Sequence, residues 1–446
     1  MSRLNVPPNF IGTGGADTLI GEQLNASPAI GIDILTGGSI RTLSGIDTIT
    51  GIATGDNGPE QSSDGASGTG IANSGGIDAG DGNDAIAGTG NGGSGSGGLN
   101  DSGNGAFGTG IANSGGINAG NGNDTITGTA TGGTGGSGYF GGNGGNAIGI
   151  TNSGSINAGD GNDAIAGTAT GGESGGGFVG GSGGTGTGIA NSSSINTGSG
   201  KDTITGIGRG SDGGRDGGGG ATGTGITNSK ELDTGDGDDT ITGTGTGGIG
   251  YRGTTAGIGI QNTKDATITT GSGNDTITGY GNSSEKNATS YGIFNDGVIE
   301  TGKNSDKLTG QASSTISGTA YGIYGQGIIK TGDGNDSLIA TSILDGVQQK
   351  VSIGGGIKID LGTGNDYLKG FGEASVDGGK GFDTLDLGAF NRSQVIVSGV
   401  ISGNTLNSAN ISFNNNGNTI TLSTTNFEKF IFADSSFSYS TLANGA

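Results

Sequence analysis

The sequence predicts an all-β fold: a single-stranded parallel β-solenoid (β-helix) with about three short strands per coil, capped by a small C-terminal β region. Three observations predict it. A corner motif typified by "AGDGNDAIAG" (residues 79–88) recurs every thirty to forty residues. Isolated isoleucines and leucines fall into three columns when its copies are aligned. Finally, 112 of the 446 residues are glycine and only 28% are hydrophobic. So few large side chains cannot offset the entropy of ordering that much glycine in an ordinary globular core, whereas stacked repeats can bury one another's faces.

The first strand follows the corner. Its inward column is Ile86, Ile126, Ile165, Ile204, Ile241, Ile277, Leu308, Leu338 and Leu368. The second strand lies in segments such as "GTGIANSGGI" and contributes Ile71, Ile111, Ile150, Ile189, Ile226, Ile260, Ile293 and Ile323. The third strand precedes the next corner and contributes Ile77, Ile117, Ile156, Ile195, Leu232, Ile268, Ile299, Ile329 and Ile359. Thr, Ala, Ser or Gly flank each apolar residue, the alternation of a short strand with one face inward. Coils stacked about 4.8 Å apart then build the core from three ladders of like residues.

Two further elements complete the unit. Two residues after the second column stands an asparagine (Asn73, Asn113, Asn152, Asn191, Asn228, Asn262, Asn295), replaced by Gly325 in the next coil. Asn and Gly both tolerate left-handed backbone, so a tight bend is expected there, with amides able to stack from coil to coil. Between the first and second strands lies a glycine-rich insert, from 19 residues at Thr89–Phe107 to 9 at Gln311–Thr319. All inserts leave the same edge and are expected to form one tapering ridge, either as loose loops or as extended glycine segments packed side by side.

Charge narrows the chemistry. A net charge of −22 disfavours nucleic acid and anionic membrane as partners and favours multivalent cations. With no Cys and no His, disulfides and the usual transition-metal ligands are excluded, so any metal is a hard cation held by oxygen. No apolar run is long enough to span a bilayer, and "MSRLNVPPNF" lacks the apolar stretch of a signal peptide.

At the corner itself, glycines permit a tight path and leave carbonyls unobstructed, while the final aspartate adds a carboxylate. Carboxylates stacked about 4.8 Å apart repel by roughly 3–4 kcal/mol per neighbouring pair at an effective dielectric near 20. A cation between successive corners removes that cost, and carbonyls with carboxylates at this spacing suit Ca²⁺.

The pattern "G-x-G-x-D-x-I-x" resembles the calcium-binding repeat of RTX (hemolysin-type) secreted proteins. Carried over position by position, the resemblance implies Asp84, Asp124, Asp163, Asp202, Asp239, Asp275, Asp336 and Asp366 as calcium ligands, with Asp47 ("SGIDTITG") and Asp17 ("GGADTLIG") extending the series. It implies carbonyl ligands from the corner glycine pairs Gly80 and Gly82, Gly120 and Gly122, Gly159 and Gly161, Gly198 and Gly200, Gly235 and Gly237, Gly271 and Gly273, Gly332 and Gly334, and Gly362 and Gly364. The chain departs from the family's nine-residue repeat: each unit has one such turn, which predicts a single calcium ladder on one edge of a rounder coil. "TGKNSD", ending at Asp306, carries Lys303 and lacks the second glycine, so a weak or absent site is expected there. Lys201 beside Asp202 also departs from the pattern.

The expected organisation is an N-terminal cap with irregular first repeats (1–46), a calcium-binding solenoid with glycine-rich inserts (47–390), and a C-terminal β cap (391–446). In the last segment "NNNGN" between alternating runs reads as a hairpin. Its "NFEKFIFAD" resembles the region after RTX calcium repeats, which implies type I secretion. The expected function is therefore a secreted, non-enzymatic cell-surface, matrix or adhesin-like component that folds on external Ca²⁺, with self-association or a cell-surface polysaccharide as further partners. No catalytic or organic cofactor residues are expected. Two alternatives stand beside this expectation. A β-helix polysaccharide lyase or hydrolase needs an irregular acid–base cluster, but the carboxylates follow the repeat and Arg209, Arg215 and Arg252 sit in or beside inserts. An ice-binding surface has outward pairs such as Thr125/Thr127, Thr203/Thr205, Thr240/Thr242 and Thr276/Thr278, interrupted by Ala85/Ala87 and Ala164/Ala166, so a flat regular threonine face is not expected.

Overall fold

The computed structural model describes residues 2–251, 255–315, 317–399, 408–415 and 417–443; Arg252 lies outside them. From Thr48 to Lys330 the coils repeat one path. The strand after the aspartate (Ala85–Asn91, Thr125–Thr131, Ala164–Thr170) leads into the insert, then a second strand (Gly68–Asn73, Gly108–Asn113, Ala147–Asn152), a bend, and a short third strand (Gly76–Asp78, Gly116–Asn121). Like strands of successive coils pair in parallel with like residues opposed: Ile126 with Ile86, Ile111 with Ile71, Ile117 with Ile77. The protein is a parallel β-solenoid, as expected.

All three apolar columns are inward and almost wholly shielded; Ile111, Ile204 and Ile268 have 0% exposure. Past the isoleucine, the inward positions of the first strand are small (Gly88, Gly90; Gly128, Ala130), so the two long strands close together towards the insert edge.

The bend differs from expectation in one respect. None of its asparagines has a positive φ; only Gly325 does, at 142°. Asparagine is selected here by its side chain. Each buried amide donates to the Oδ1 of the next, at 2.7–3.0 Å from Asn73 through to Asn295, and to a backbone carbonyl after the bend, such as Gly116 O from Asn73 at 2.9 Å. Gly325 ends the ladder, and the Asn295 amide donates only to Ile328 O. The arrangement satisfies buried amides in a nearly dry interior.

The inserts are ordered and pack side by side. Their outgoing and returning legs form a two-layered bundle in which N–H donors alternate direction with a period of three. Gly92 and Gly95 donate to the outgoing leg of the next coil (Thr131 O, Thr134 O), while Gly93 and Ser96 donate to the returning leg of the previous one (Ala66 O, Ser63 O). The zigzag continues from Ala106 to Gly93, Gly133 to Ala106, Gly145 to Gly133 and Gly172 to Gly145, at 2.7–2.9 Å. Threefold extended chains without internal hydrogen bonds bond sideways in this way. Only glycine allows the approach: a Cβ on Gly133 would lie 1.9 Å from Gly93 O.

At the C-terminus, Asn418–Thr425 pairs in parallel with Gly372–Asp377, and Lys429–Phe432 with Thr384–Leu387. Ser408–Asn415 and Asn418–Thr425 form the expected antiparallel hairpin over the last coils. Among the described residues no helix is long and apolar enough to cross a membrane.

Candidate metal centre

The corner combines two glycines of positive φ with one inward carboxylate. At Gly80 and Gly82 φ is 99° and 150°, and the pattern recurs down the stack; Asn304 takes the second-glycine place in its coil with φ 78°. Two of the corner's carbonyls are consumed by stacking: Asn121 donates to Gly80 O at 3.1 Å, and Gly82 donates to Asn121 O at 2.7 Å. The second-glycine carbonyl (Gly82, Gly122, Gly161) accepts no N–H among the described residues. It points along the stack, since a Cβ on Gly122 would lie 1.6 Å from Gly82 O.

The aspartates form one continuous polar column. Each backbone N–H donates to Oδ1 of the aspartate in the next coil at 2.7–2.8 Å, running Asp17, Asp47, Asp84, Asp124, Asp163, Asp202, Asp239, Asp275, Asp306, Asp336, Asp366, Asp383. Eleven of them, from Asp47 to Asp383, are at most 3% exposed. In all eleven the second oxygen, Oδ2, is buried without any hydrogen-bond partner.

A buried carboxylate oxygen with no partner carries its full desolvation cost. Burial, followed by the charges of the neighbouring aspartates, pushes Asp163, Asp306 and Asp366 up to about 7 and Asp84 and Asp239 up to about 6. Burial raises Asp124, Asp202, Asp275 and Asp336 as well. From Thr197 to Thr331 the residue before the first glycine is threonine, and the hydroxyls of Thr197, Thr270, Thr301 and Thr331 donate to backbone carbonyls of the next coil, leaving the aspartate Oδ2 atoms without a donor.

The structure thus brings the sequence-derived aspartates and corner glycines into one edge, with Asp17 at its outer end. Asp17 is half-buried, and its Oδ2 accepts the Thr13 N–H at 2.7 Å. Asp306 occupies the same column with the same unpartnered oxygen, while Lys303 and Lys201 are exposed on the outside of the turn. Two residues were missed. Asp383 ("GGKGFD") is a full member of the column, and its N–H donates to Glu428 Oε2 at 2.7 Å, so Glu428 supplies the terminal carboxylate. The spaced glycines of "GGKGFD" were the available signal for Asp383; Glu428 had none.

Among the described residues no three acidic side chains converge on one point. Each interval between coils offers carboxylates from the two flanking aspartates plus axial glycine carbonyls, an all-oxygen donor set. That set fits a hard divalent cation: the orphaned Oδ2 atoms and the free carbonyls are the groups such an ion would satisfy.

The outward face of the first strands is wider than the sequence suggested. Besides the two threonine columns already noted, strands of seven or eight residues add Thr89, Thr129, Thr168, Thr244 and Thr54, Thr131, Thr170, Thr246, in register. From Thr48 to Asn282 the sole charged side chain on this four-column face is Arg209.

No protein-family model matches the chain, and no curated protein is significantly similar in sequence. One solved structure is similar, a hyperactive, Ca²⁺-dependent, beta-helical antifreeze protein from an Antarctic bacterium, at 16% identity and a TM-score of 0.29, covering 84% of this chain and 78% of that one. A superposition that loose carries no argument, and the solenoid assignment rests on this chain's own strand pairing.

Proposed function

We propose that this protein is an extracellular, calcium-dependent β-solenoid serving as a non-enzymatic structural component of a cell surface or matrix. One observation carries the reading: eleven stacked carboxylates whose Oδ2 atoms are buried and unpartnered. Calcium would be held between successive corners by Asp47 through Asp383 together with second-glycine carbonyls such as Gly82, Gly122 and Gly161, supplying positive charge where the chain has none. Where calcium is scarce the column repels itself and the chain stays unfolded; where it is abundant, binding is coupled to folding. The RTX-like repeat and the "NFEKFIFAD" tail support export by a type I route. Carboxylates confined to the repeat support a non-enzymatic role. Far-UV circular dichroism of EDTA-stripped protein titrated with Ca²⁺, with Mg²⁺ as control, tests this. A cooperative, calcium-specific gain of β-structure is expected; a β-spectrum indifferent to chelator would overturn it.

The broad threonine face favours a second reading, in which the calcium-ordered solenoid holds a nearly uncharged, threonine-rich surface against ice. Thermal hysteresis in the calcium-loaded protein, abolished by Thr129→Tyr and Thr244→Tyr, would establish it; no hysteresis would remove it.

A further inference from the structure

Where the glycine inserts end, a different feature takes their place. The strand Ser337–Leu344 turns through Asp345 and Gly346 into Val347–Gln348, a short hairpin opposite the C-terminal hairpin. Between them lies a cleft of about 410 Å³ with Tyr321, Gln348, Lys350, Phe413 and Asn415 among its walls. Tyr321 belongs to a cluster of four rings on two successive coils, stacked on Tyr291 at 6.3 Å and 12° and tilted against Tyr324 at 4.9 Å. In the corresponding outward positions earlier coils carry no aromatic ring, as at Thr109, Ala112, Ile148 and Gln261.

The polar groups here are unspent. Among the described residues the side chains of Gln348 and Asn415 and the Tyr321 hydroxyl make no hydrogen bond. Lys350 sits over Phe390 and Phe413 at 5.2 and 5.3 Å and, among the described residues, forms no ion pair. A smaller adjoining hollow places Lys369 beside Lys350. Among the described residues Lys369 forms no ion pair; Asp386 lines the same hollow and accepts from the Tyr367 hydroxyl and the Gly388 N–H. In a chain of net charge −22, this hollow brings two lysine ammonium groups beside the aromatic wall of the cleft.

We infer that this cleft binds a carboxylated oligosaccharide: the rings of Tyr321 and Phe413 pack on the C–H faces of the sugars, the Gln348 and Asn415 amides bond hydroxyls, and Lys350 and Lys369 pair with a uronate carboxylate. The inference rests on the extracellular reading above, because it names the kind of surface such a component would hold.

The test is isothermal titration of the full chain, calcium-loaded, with a hyaluronan hexasaccharide (carboxylated) and with chitohexaose (neutral). Circular dichroism is recorded on the same samples. Binding of the carboxylated hexamer is expected, weakened at least tenfold by Tyr321→Ala, Lys350→Met and Gln348→Ala. Gln348 and Lys350 lie on the hairpin outside the apolar columns, so their variants keep the test valid if Tyr321→Ala fails to fold. No binding by folded protein, or equal binding of both hexamers undiminished in Lys350→Met, would overturn the inference. Failure to fold with calcium would instead refute the functional reading.

Discussion

Replacing Asp163 by Asn isolates what one carboxylate of the column does. The substituted side chain keeps the oxygen that accepts the Asp124 N–H, so the backbone link at 2.7 Å survives and only charge and the orphaned Oδ2 are lost. Burial, with the charges of Asp202 and Asp124, raises the Asp163 carboxyl from 3.8 to about 7 in the folded chain. A carboxyl raised on folding does not oppose the fold below its unfolded pKa. It opposes the fold progressively as pH rises from about 4, and fully above about 7. At 1.36 kcal/mol per unit, the opposition at pH 8 is about 4 kcal/mol for this one residue. A few such groups exceed the 5–15 kcal/mol by which domains are usually stable.

In EDTA, wild-type β-structure followed by far-UV circular dichroism is therefore expected to persist at low pH and disappear as pH rises through 6–7. Asp163→Asn moves that midpoint upward. In calcium at pH 8 the sign reverses, because two intervals lose a ligand: the variant requires more calcium to fold. The same reversal is expected at Asp239→Asn. A variant less stable than wild type in EDTA at pH 8, or one with an unchanged calcium titration, would refute the reasoning.

Three other outcomes follow from the same geometry. Asn152→Ala removes bonds to Asn113, Asn191 and Ser194 within a buried ladder and should cost about 3 kcal/mol in urea unfolding, equally in calcium and in EDTA at low pH. Gly133→Ala places a methyl 1.9 Å from Gly93 O; hydrogen exchange should accelerate in the flanking inserts, about 1–3 kcal/mol of stability should be lost, and the strand Thr125–Thr131 should stay protected. Glu428→Ala strips the acceptor from the Asp383 N–H, so proteolysis should begin after residue 384 at calcium levels where wild type resists, with a loss of about 1–2 kcal/mol.

The apolar columns were legible because isoleucine and leucine stand out against glycine, threonine and alanine, and a ladder demands like residues at like places. The aspartates were legible for the same reason. Asp383 was hidden because only 17 residues separate it from Asp366, a coil without an insert, and Glu428 because a different residue in a different motif closes the column. The asparagine bend and its stacked amides were both legible; only the left-handed backbone expected there is absent, because the amide ladder alone selects asparagine. Order in the inserts leaves no hydrophobic trace. Its signal is the x-G-G triplet of "TGGTGGSGYFGGNGG", which matches the threefold alternation of donors. The outer threonine columns were overlooked because the strands run seven or eight residues, longer than the isoleucine flanks alone suggest.

The most direct measurement is anomalous X-ray scattering from crystals grown in calcium. Eleven buried aspartates leave ten intervals between Asp47 and Asp383. The account predicts a single line of calcium peaks, about 4.8 Å apart, beside the Oδ2 atoms. A folded solenoid with no peaks along that edge would mean that protons, and no metal, satisfy the column, and would contradict the central claim.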